Sequence, residues 1–461
     1  MNITKSIITG SVALSAIANA KPNIVVINVD DLGWNDVNYL PNHKSPYYSP
    51  NIEKLSKQGM VFTNAYAACP VCSPTRASIL TGKSPAALKI TAHIPGKLNT
   101  GAKRVPKGAK VTAPDFHHQL PLEEVTFAEL LKPQGYRTAF IGKYHLAGAD
   151  VMNQKTAKGV IASEFHPDKQ GFDINIGGCA YGQPKSYFDP YSNGTIKDRK
   201  KGEYLTDRLA DEAVNFITEN AQNKFLLYLN FYSVHTPIKA PKDRINFVKK
   251  KGISAKKATY AAMVYSVDLA IGKLVKTLKE KNLSENTLII FTSDNGGLFD
   301  NKPLNNHKGS LYEGGIRVPF FAVWPGKIKE GTASDEPVIS YDILPTLTGA
   351  AEISVIPEKV EGENLMPIFT KSGEFKRKNP LFWYYPHYHH GGMESLDMGA
   401  AIRYGDWKYI KLYKNGKAFL FNLKDDLGEK NNLLEANPEK AAYLNQKLME
   451  QIKQADANMP K

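Results

Sequence analysis

The apolar and polar positions of this chain form a pattern that repeats along most of its length. Short runs of apolar, often β-branched residues are typical of buried parallel strands, and each run here ends in a group of polar residues. Loops and segments with helical periodicity separate the runs. This order indicates an α/β fold with a largely parallel central sheet flanked by helices. The predicted strands are Asn23–Val29, Met60–Thr63, Tyr136–Ile141, Phe225–Tyr232, Thr287–Thr292 and Phe320–Trp324.

Helices are predicted between these strands. Pro50 and Pro74 are good first-turn residues, and Gly59 and Gly82 are typical of positions that end a helix. Two helices are therefore predicted, one between Pro50 and Gly59 and one between Pro74 and Gly82. Two more are predicted over Phe127–Leu131 and, as a long amphipathic helix, over Thr259–Asn282.

The pattern changes beyond about residue 356, where short strands follow one another closely. We predict a smaller C-terminal α+β subdomain at residues 356–461, with an antiparallel sheet and a terminal helix over Asn437–Ala455. The large domain is then residues 21–355. The predicted C-terminal strands are Leu381–Tyr385, Gly399–Tyr404, Trp407–Tyr413 and Ala418–Asn422.

Residues 1–20 differ from the rest of the chain. Lys5 gives a positive start, residues 7–17 are mostly apolar or small, and Ala18-Asn19-Ala20 matches an A-x-A cleavage site. We interpret this stretch as a signal peptide cut before Lys21, which predicts a periplasmic or secreted protein. No cysteine follows the cut, so no lipid anchor is expected, and no later stretch is interpreted as a membrane span.

Composition and charge narrow the class of partner. The 461 residues are 42% hydrophobic and 23% charged, which is ordinary for a globular enzyme. The formal net charge of +14 favours polyanionic partners. Because the chain has no nucleic-acid-binding motif and is predicted to be exported, a sulfated polysaccharide is favoured over nucleic acid. Improved solubility alone is the other explanation of the charge.

The segment Cys72–Gly82, with the sequence CSPTRASILTG, has an order that indicates chemistry. Pro74 and Gly82 bracket a short helix, so Cys72 is predicted just before a helix N-terminus, where unpaired N–H groups favour an anion. Arg76 lies about one turn further on and can return its guanidinium to the same face. The pattern predicts a nucleophile at an anion site, with a buried structural cysteine as the alternative.

The other cysteines do not suggest a disulfide scaffold. The chain has three cysteines in all, Cys69, Cys72 and Cys179, which is sparse for an exported protein. Cys69 and Cys72 form a C-x-x-C pair, but the residues Pro74 and Arg76 are not explained by a redox site. Cys69 is expected to be either free or paired with Cys179.

Polar groups at the ends of the predicted strands should meet at one edge of the sheet, where α/β proteins bind ligands. Asp30 and Asp31 are adjacent carboxylates, which repel each other unless a cation lies between them, and a solvated turn is the alternative. Oxygen donors without histidine or cysteine favour Ca²⁺ or Mg²⁺ over zinc. The groups are Asp30 and Asp31, Lys143 and His145, His235, Asp294 and Asn295, and Lys308.

The pattern C-x-P-x-R-x-x-x-L-T-G that begins at Cys72 resembles the signature of the type I sulfatases. Thr75 stands where that signature usually has serine, and it keeps the hydroxyl. The resemblance covers nearly all of the chain after residue 20. It implies an alkaline-phosphatase-like fold and the oxidation of Cys72 to formylglycine by a separate formylglycine-generating enzyme.

The resemblance also implies roles for single residues. Asp30, Asp31, Asp294, Asn295 and formylglycine at position 72 would bind one Ca²⁺ ion. Arg76 would steady the formylglycine hydrate. Lys143 and Lys308 would hold the sulfate oxygens, while His145 and His235 would be the two catalytic histidines.

The chemistry implied by this resemblance is the hydrolysis of a sulfate monoester. One hydroxyl of the hydrate at residue 72 attacks sulfur in line, and His235 protonates the departing sugar oxygen. His145 then deprotonates the second hydroxyl, so that the sulfated intermediate collapses and releases sulfate. A serine at residue 72 would instead be trapped as a stable ester.

The substrate is predicted to be a sulfated carbohydrate, with a carrageenan-type galactan weakly favoured by resemblance to secreted polysaccharide sulfatases. The aromatic and histidine-rich segment 384–392 has two main interpretations, and a three-histidine metal site is a third that is disfavoured because nothing nearby in the sequence completes it. His387, His389 and His390 could bind the hydroxyls or a second sulfate of a glycan, or the segment could form an aromatic contact of the subdomain.

Three other functions compete with this interpretation. A phosphonate or phosphodiester hydrolase can use the same formylglycine nucleophile. A non-catalytic sulfoglycan-binding protein would keep Cys72 as a thiol. A redox protein would use Cys69 and Cys72 together without any metal.

Overall fold

The α/β fold predicted from the sequence is confirmed by a computed structural model, which describes residues 21–95, 110–148, 164–299, 301–371, 375–388 and 398–461. The predicted signal peptide lies outside these residues. The strands are β1 Asn23–Val29, β2 Met60–Phe62, β3 Ala65–Tyr66, β4 Arg137–Gly142, β5 Ile174–Ile176, β6 Phe225–Phe231, β7 Thr287–Ser293, β8 Phe321–Val323, β9 Thr332–Ser334, β10 Val338–Ile339, β11 Leu381–Tyr385, β12 Gly399–Tyr404, β13 Trp407–Leu412 and β14 Ala418–Asn422.

The helices account for most of the segments between these strands. They are α1 Pro50–Ser56, α2 Cys72–Thr81, α3 Pro85–Leu88, α4 Phe127–Leu131, α5 Leu205–Glu219, α6 Lys242–Lys250, α7 Ala255–Glu280, α8 Glu313–Ile316, α9 Ile343–Ala350, α10 Met366–Thr370 and α11 Pro438–Gln454.

An eight-stranded sheet lies at the centre, in the order β5-β4-β6-β1-β7-β8-β2-β9. The five strands from β5 to β7 are parallel, whereas β8 runs antiparallel to both of its neighbours. The long segment between β7 and β8 stays at the edge where β7 ends, so the chain enters β8 from that edge. The sheet is therefore mixed, although mostly parallel as predicted.

Four neighbouring strands end at the same level of this sheet. Gly142 of β4 pairs with Asn230 of β6, which pairs with Asn28 of β1, and Asn28 pairs with Thr292 of β7. The polar residues that follow these strands therefore lie along one edge, as the pattern predicts for parallel strands.

Helices cover both faces of the sheet. Val25 and Ile27 of β1 belong to a core shared with α5 and α7, while the alternate residues Ile24 and Val26 belong to a core shared with α2, α4 and α9. All seven residues of β1 are buried. A continuous apolar strand with helices on both faces is the arrangement expected for the centre of a parallel sheet.

Helix α7 corrects one expectation. By length and composition alone, Ala255–Glu280 is long and apolar enough to cross a membrane, although no such stretch was predicted after residue 20. The most apolar stretch of this helix is 67% buried inside the protein, where it packs against α5, α6 and the central sheet. The apolar character of α7 is thus used in the core.

The C-terminal part of the chain forms a four-stranded antiparallel sheet in the order β11-β12-β13-β14, as predicted. One face of this sheet packs against α11, and the other packs against Tyr66, Val71 and the segment around α8. The division at residues 355 and 356 stays a prediction.

A buried ion cluster joins this sheet to the large domain. Lys408 of β13 lies 2.8 Å from a carboxylate oxygen of Glu313 and 2.8 Å from one of Glu429. Arg317 pairs with Glu313 at 2.7 Å, and the Tyr66 hydroxyl donates to the same carboxylate. The side chains of Lys408 and Glu313 are fully buried, so the cluster has no access to solvent.

We predict that Lys408→Met destabilises the protein by about 3–5 kcal/mol, because it leaves two buried carboxylates without their shared cation. Lys411→Met, which changes a partly exposed lysine of the same strand, should change the free energy of unfolding by less than about 0.5 kcal/mol. Urea unfolding of both variants measures the difference, and an equal loss in the two would contradict the role of the cluster.

The same cluster predicts a pH dependence. Burial raises the pKa of Glu429 to about 7, although Lys408 lowers it. When a carboxyl has a higher pKa in the folded state than in the unfolded state, the protein becomes less stable as the pH rises from the unfolded-state pKa through the folded-state pKa. Removing Lys408 raises this pKa further, so the stability lost in Lys408→Met should be greater at pH 8 than at pH 5. Unfolding at the two pH values checks the sign.

Candidate active site

Three carboxylates meet at the edge where β1 and β7 end. Asp30, Asp31 and Asp294 each offer an oxygen atom, and these atoms all lie within 4.8 Å of one another. All three residues are fully buried. Burial raises the pKa of Asp30 well above its ordinary value, and the two neighbouring carboxylates add to that rise. Three acids in so small a space require positive charge.

Arg76 supplies part of this charge from α2. Its Nε donates to Asp294 Oδ2 at 2.7 Å, its Nη1 donates to the carbonyl of Lys143 at 2.6 Å, and its Nη2 lies 3.4 Å from Asp30 Oδ1. Burial opposes its charge, but Asp294 and Asp30 hold its pKa above the ordinary range. Arg76 thus fastens the helix that carries Cys72 to two strand ends.

Two lysines complete the positive charge. Lys143 Nζ lies 2.9 and 2.7 Å from the two oxygens of Asp30, and Lys308 Nζ lies 2.5 Å from Asp31 Oδ1. Burial would raise the pKa of Asp31, but Lys308 and then His235 hold it well below the usual range. The predicted lysines are therefore in the predicted place, next to the carboxylates.

The donor set fits a hard divalent cation. Asp31 Oδ2 and Asn295 Oδ1 are buried and have no hydrogen-bond partner among the described residues. Asn295 meanwhile donates through Nδ2 to Asp31 Oδ1 at 2.8 Å, which turns its carbonyl oxygen away from that carboxylate. Unpaired buried oxygens are rare, and carboxylate and amide oxygens are what Ca²⁺ and Mg²⁺ bind.

The sequence predicted Cys72 just before the helix, but Cys72 is the first residue of α2. Val71 occupies the N-cap position, and Gly82 ends the helix with φ 70°, as predicted. Thr75 accepts a hydrogen bond from the amide of Cys69 at 3.0 Å and donates to its carbonyl at 3.1 Å. The hydroxyl kept at this position therefore holds the turn in front of Cys72.

His145 contacts the candidate nucleophile directly. Its Nδ1 lies 3.3 Å from Cys72 Sγ, and its Nε2 lies 2.7 Å from the carbonyl oxygen of Ile94. A carbonyl only accepts, so Nε2 carries the proton and Nδ1 presents its lone pair to residue 72. Burial, and then Lys143, hold the pKa of His145 well below its ordinary value. The imidazole is therefore a neutral base.

His235 lies on the other side of the carboxylates. Its Nδ1 donates to the carbonyl of Thr236 at 2.9 Å, and its Nε2 lies 3.6 Å from Asp31 Oδ2. Burial lowers its pKa to about 3, although Asp31 opposes this. Its side chain keeps 14% of its surface exposed, so part of the imidazole is open to a bound molecule.

Several groups of the site were not found from the sequence. Asn230 accepts from Arg76 Nη1 at 3.4 Å and from Asn28 Nδ2 at 3.3 Å. The signal was present, because Asn28 and Asn230 each interrupt an apolar strand near its end. The carbonyl of Ile94 gave no signal, since any residue type carries a backbone carbonyl.

The histidine-rich segment is only partly described. His387 is 3% exposed, its Nε2 lies 2.7 Å from the Thr91 hydroxyl, and its ring packs edge-on against Phe116. His387 therefore makes the aromatic contact that was the second interpretation of this segment, and its contact with a glycan stays a prediction. His389 and His390 lie outside the described residues.

The cysteines do not form a disulfide. Cys69, Cys72 and Cys179 are all free and buried. Burial raises the pKa of the Cys69 thiol far above its ordinary value, which disfavours the thiolate that dithiol exchange requires. Of the two states expected for Cys69, the free thiol is the one observed.

Comparison with known proteins decides the family. The family model described as Sulfatase matches residues 22–353, and the one described as N-sulphoglucosamine sulphohydrolase, C-terminal, matches residues 304–458. The chain belongs to the sulfatase family. It is therefore a sulfuric ester hydrolase, with the fold that the resemblance implied.

Individual relatives span nearly the whole sulfatase. A "Sulfatase" of Formosa agariphila is 33% identical, over 91% of this chain and 86% of the relative. The N-acetylgalactosamine-6-sulfatase of Mus musculus is 30% identical, over 80% of this chain and 70% of that relative. The crystal structure of Ps i-CgsB is 30% identical and superposes with a TM-score of 0.77, over 94% and 93% of the two chains. The same enzyme has also been solved in complex with k-i-k-neocarrahexaose.

Ser73 is a candidate positioning residue for His145. Its hydroxyl accepts the amide of Ile94 at 3.0 Å, and the carbonyl of Ile94 fixes the tautomer of His145. We predict that Ser73→Ala lowers kcat roughly ten- to hundredfold with little change in KM, because a small displacement of a catalytic base is costly. Steady-state kinetics with a sulfate ester measures both constants.

Ser78→Ala is the matched control, because Ser78 lies in the same helix and its buried hydroxyl has no partner among the described residues. It should leave kcat within about twofold, since no hydrogen bond is lost. Nitrogen-15 NMR of labelled histidine should show a mixture of His145 tautomers in Ser73→Ala alone. An unchanged tautomer with reduced kcat would contradict the positioning role.

Proposed function

We propose that this sulfatase is a calcium-dependent, formylglycine-bearing enzyme that hydrolyses sulfate monoesters on a sulfated carbohydrate. The observation that carries the proposal is the placement of Cys72. Its Sγ faces the lone pair of His145 Nδ1 at 3.3 Å, at the N-terminus of a helix that Arg76 fastens to two of the three clustered carboxylates. A nucleophile, a base, an acid and a cation site thus share one buried edge.

The cation would be held by Asp30, Asp31, Asp294 and Asn295, together with the modified side chain of residue 72. When bound, it would act as a Lewis acid that neutralises sulfate charge and acidifies the nucleophilic hydroxyl. The unpaired Asp31 Oδ2 and Asn295 Oδ1 support this assignment.

Formylglycine at residue 72 would supply, as its hydrate, one hydroxyl for attack on sulfur and a second for release of sulfate. The other groups are present as ordinary side chains. Lys143 and Lys308 place two positive charges beside Asp30 and Asp31, where they would bind sulfate oxygens and offset the charge on them. Arg76 keeps the helix, and so the nucleophile, at a fixed distance from those charges.

The two histidines divide the proton transfers. His145 presents an unprotonated Nδ1 to residue 72, so it accepts a proton from a hydroxyl there. His235 must give a proton to the departing sugar oxygen, and its Nε2 is oriented towards Asp31 and solvent. Asp31 raises the pKa of His235, and the negative charge of a bound sulfate ester acts in the same direction.

The relatives support a glycan substrate. Ps i-CgsB was solved with k-i-k-neocarrahexaose, and another relative is an N-acetylgalactosamine-6-sulfatase. We favour a carrageenan-type galactan, and we propose export to the periplasm or beyond and maturation by a formylglycine-generating enzyme. The excess of basic residues is consistent with a polyanionic substrate.

The deciding experiment measures sulfate release from a panel of defined sulfated oligosaccharides. The protein is co-expressed with a formylglycine-generating enzyme, and mass spectrometry confirms formylglycine at residue 72. We expect release from one glycan class and none from Cys72→Ala. Turnover of phosphodiesters or phosphonates above sulfate esters would assign the rival hydrolase activity. Binding without turnover by fully converted protein would assign a sulfoglycan-binding function.

Removing the cation should weaken folding as well as activity. Chelation is expected to lower Tm by several degrees and abolish sulfate release, because three buried carboxylates lose a shared partner. Ca²⁺ should restore both. Asn295→Ala should weaken Ca²⁺ binding in calorimetry, whereas Asn286→Ala, at the opposite edge of the sheet, should not. Full activity after chelation and dialysis would contradict the calcium proposal.

A further inference from the structure

The segment at residues 239–257 carries a strong excess of positive charge. It contains seven lysines, one arginine and one aspartate. Arg244 pairs with Asp207 at 2.7 Å, whereas none of the seven lysines forms an ion pair with a described residue. All seven are exposed. We call these residues the lysine face: Lys239, Lys242, Lys249, Lys250, Lys251, Lys256 and Lys257.

One end of the lysine face begins beside the active site. Lys239 lies four residues after His235, a distance of at most about 14 Å along an extended chain. Hydrogen bonds hold the connecting segment in place, because Tyr187 donates to the carbonyl of His235 at 2.8 Å and Tyr204 donates to that of Lys239 at 2.9 Å.

The other end returns to the same site. Lys257 lies in the first turn of α7, three residues before Tyr260, whose hydroxyl donates to Asp36 Oδ2 at 2.5 Å. Asp36 Oδ2 in turn accepts a hydrogen bond from the amide of Gly33 at 2.7 Å, and Gly33 lies two residues after Asp31. The lysine face therefore frames one side of the catalytic edge rather than a remote surface.

The geometry of α6 and its surroundings keeps these lysines directed outward. Lys242 and Lys249 are seven residues apart, about two helical turns, and so share a face, while Val248 is fully buried against the core. Lys251 covers the rings of Tyr48 and Phe247 at 5.0 and 5.5 Å. The charges thus lie on a fixed scaffold.

An exposed aromatic ring stands at the same rim. Phe299 follows the end of β7 by a few residues, is 50% exposed and packs edge-on against Tyr260 at 4.9 Å. A flat apolar ring suits the face of a sugar, and exposed cations suit its sulfate groups. Charge complementarity therefore favours a sulfated sugar chain over an uncharged one.

We propose that the lysine face binds sulfate groups of a polymeric sulfated glycan beyond the sugar whose ester is hydrolysed. This inference rests on the proposed function and extends it, because it makes a polymer a better substrate than a single sulfated sugar. Exposed lysines are screened by salt, so this contribution is sensitive to ionic strength.

The test compares two variants that remove four exposed lysines each. The first is Lys242→Gln, Lys249→Gln, Lys250→Gln and Lys256→Gln, in the lysine face. The matched control is Lys279→Gln, Lys281→Gln, Lys327→Gln and Lys329→Gln, at the opposite edge of the sheet. The two ends of α7 are about 39 Å apart, since the helix has 26 residues at about 1.5 Å each.

Binding is measured on full-length protein that also carries Cys72→Ala, so the outcome does not depend on turnover. The probes are a carrageenan polymer, the unsulfated galactan agarose and double-stranded DNA. We expect the lysine-face variant to raise the Kd for carrageenan roughly tenfold at low salt and to flatten its salt dependence. The control should stay within about twofold of the parent, with no binding of agarose by either.

Kinetics on converted protein with intact Cys72 gives the second measurement. The lysine-face variant should raise KM for the polymer and leave kcat/KM for a sulfated monosaccharide unchanged. Equal weakening in both variants, or a parallel loss on the monosaccharide, would overturn the proposal. Tighter binding of DNA than of carrageenan at the same ionic strength would assign the surface to nucleic acid. If no glycan is hydrolysed, the proposed function fails while the binding result still decides the lysine face.

Discussion

The site depends on balancing three buried carboxylates that lie within 4.8 Å of one another. In the structure this balance comes from Arg76, Lys143 and Lys308, which reach the acids from three separate parts of the chain. Paired charges are stable in a buried site only when their geometry is good, and removal of one partner is costly. The carboxylates can therefore be brought together only when α2, the end of β4 and the loop after β7 are all in their native positions. The same contacts position Cys72.

The sequence predicted those parts that follow from strand periodicity. A strand such as β1 is apolar throughout because both of its faces are covered, and its end is marked where Asp30 begins. Parallel strands then bring their ends to one edge without further information. The sequence could not predict the roles of backbone groups or the packing between distant segments. The carbonyl of Ile94 that fixes the tautomer of His145 carries no residue-type signal, and the covering of His387 by Phe116 depends on packing between distant segments. Helix α5 was not predicted although its apolar residues recur at helical spacing, because it lacks the proline and glycine that marked α1 and α2.

The C-terminal sheet belongs energetically to the catalytic edge. Lys408 of β13 joins Glu313 of α8 to Glu429, and α8 follows the loop that carries Lys308. Strand β11 ends in Tyr385, whose pKa is raised by burial and then by the nearby Cys69 and Cys72. The small sheet thus supports both the segment that carries Lys308 and the wall beside Cys72. Buried charged contacts such as that between Lys408 and Glu313 therefore join the C-terminal sheet to the large part of the chain.

Buried and exposed charges in this protein are suited to different tasks. Lys143 is fully buried and held at 2.7 Å from Asp30, so its field acts at one fixed point and is screened little by salt. The lysines of residues 239–257 are exposed and form no ion pair with a described residue, so each is suited to weak interaction with any sulfate in reach. In the proposed function, recognition of one ester comes from the buried edge, while attraction of an extended polyanion comes from the surface beside it. The two are joined through short, hydrogen-bonded segments at His235 and Asp36, so in this proposal a chain held on the surface is also held near residue 72.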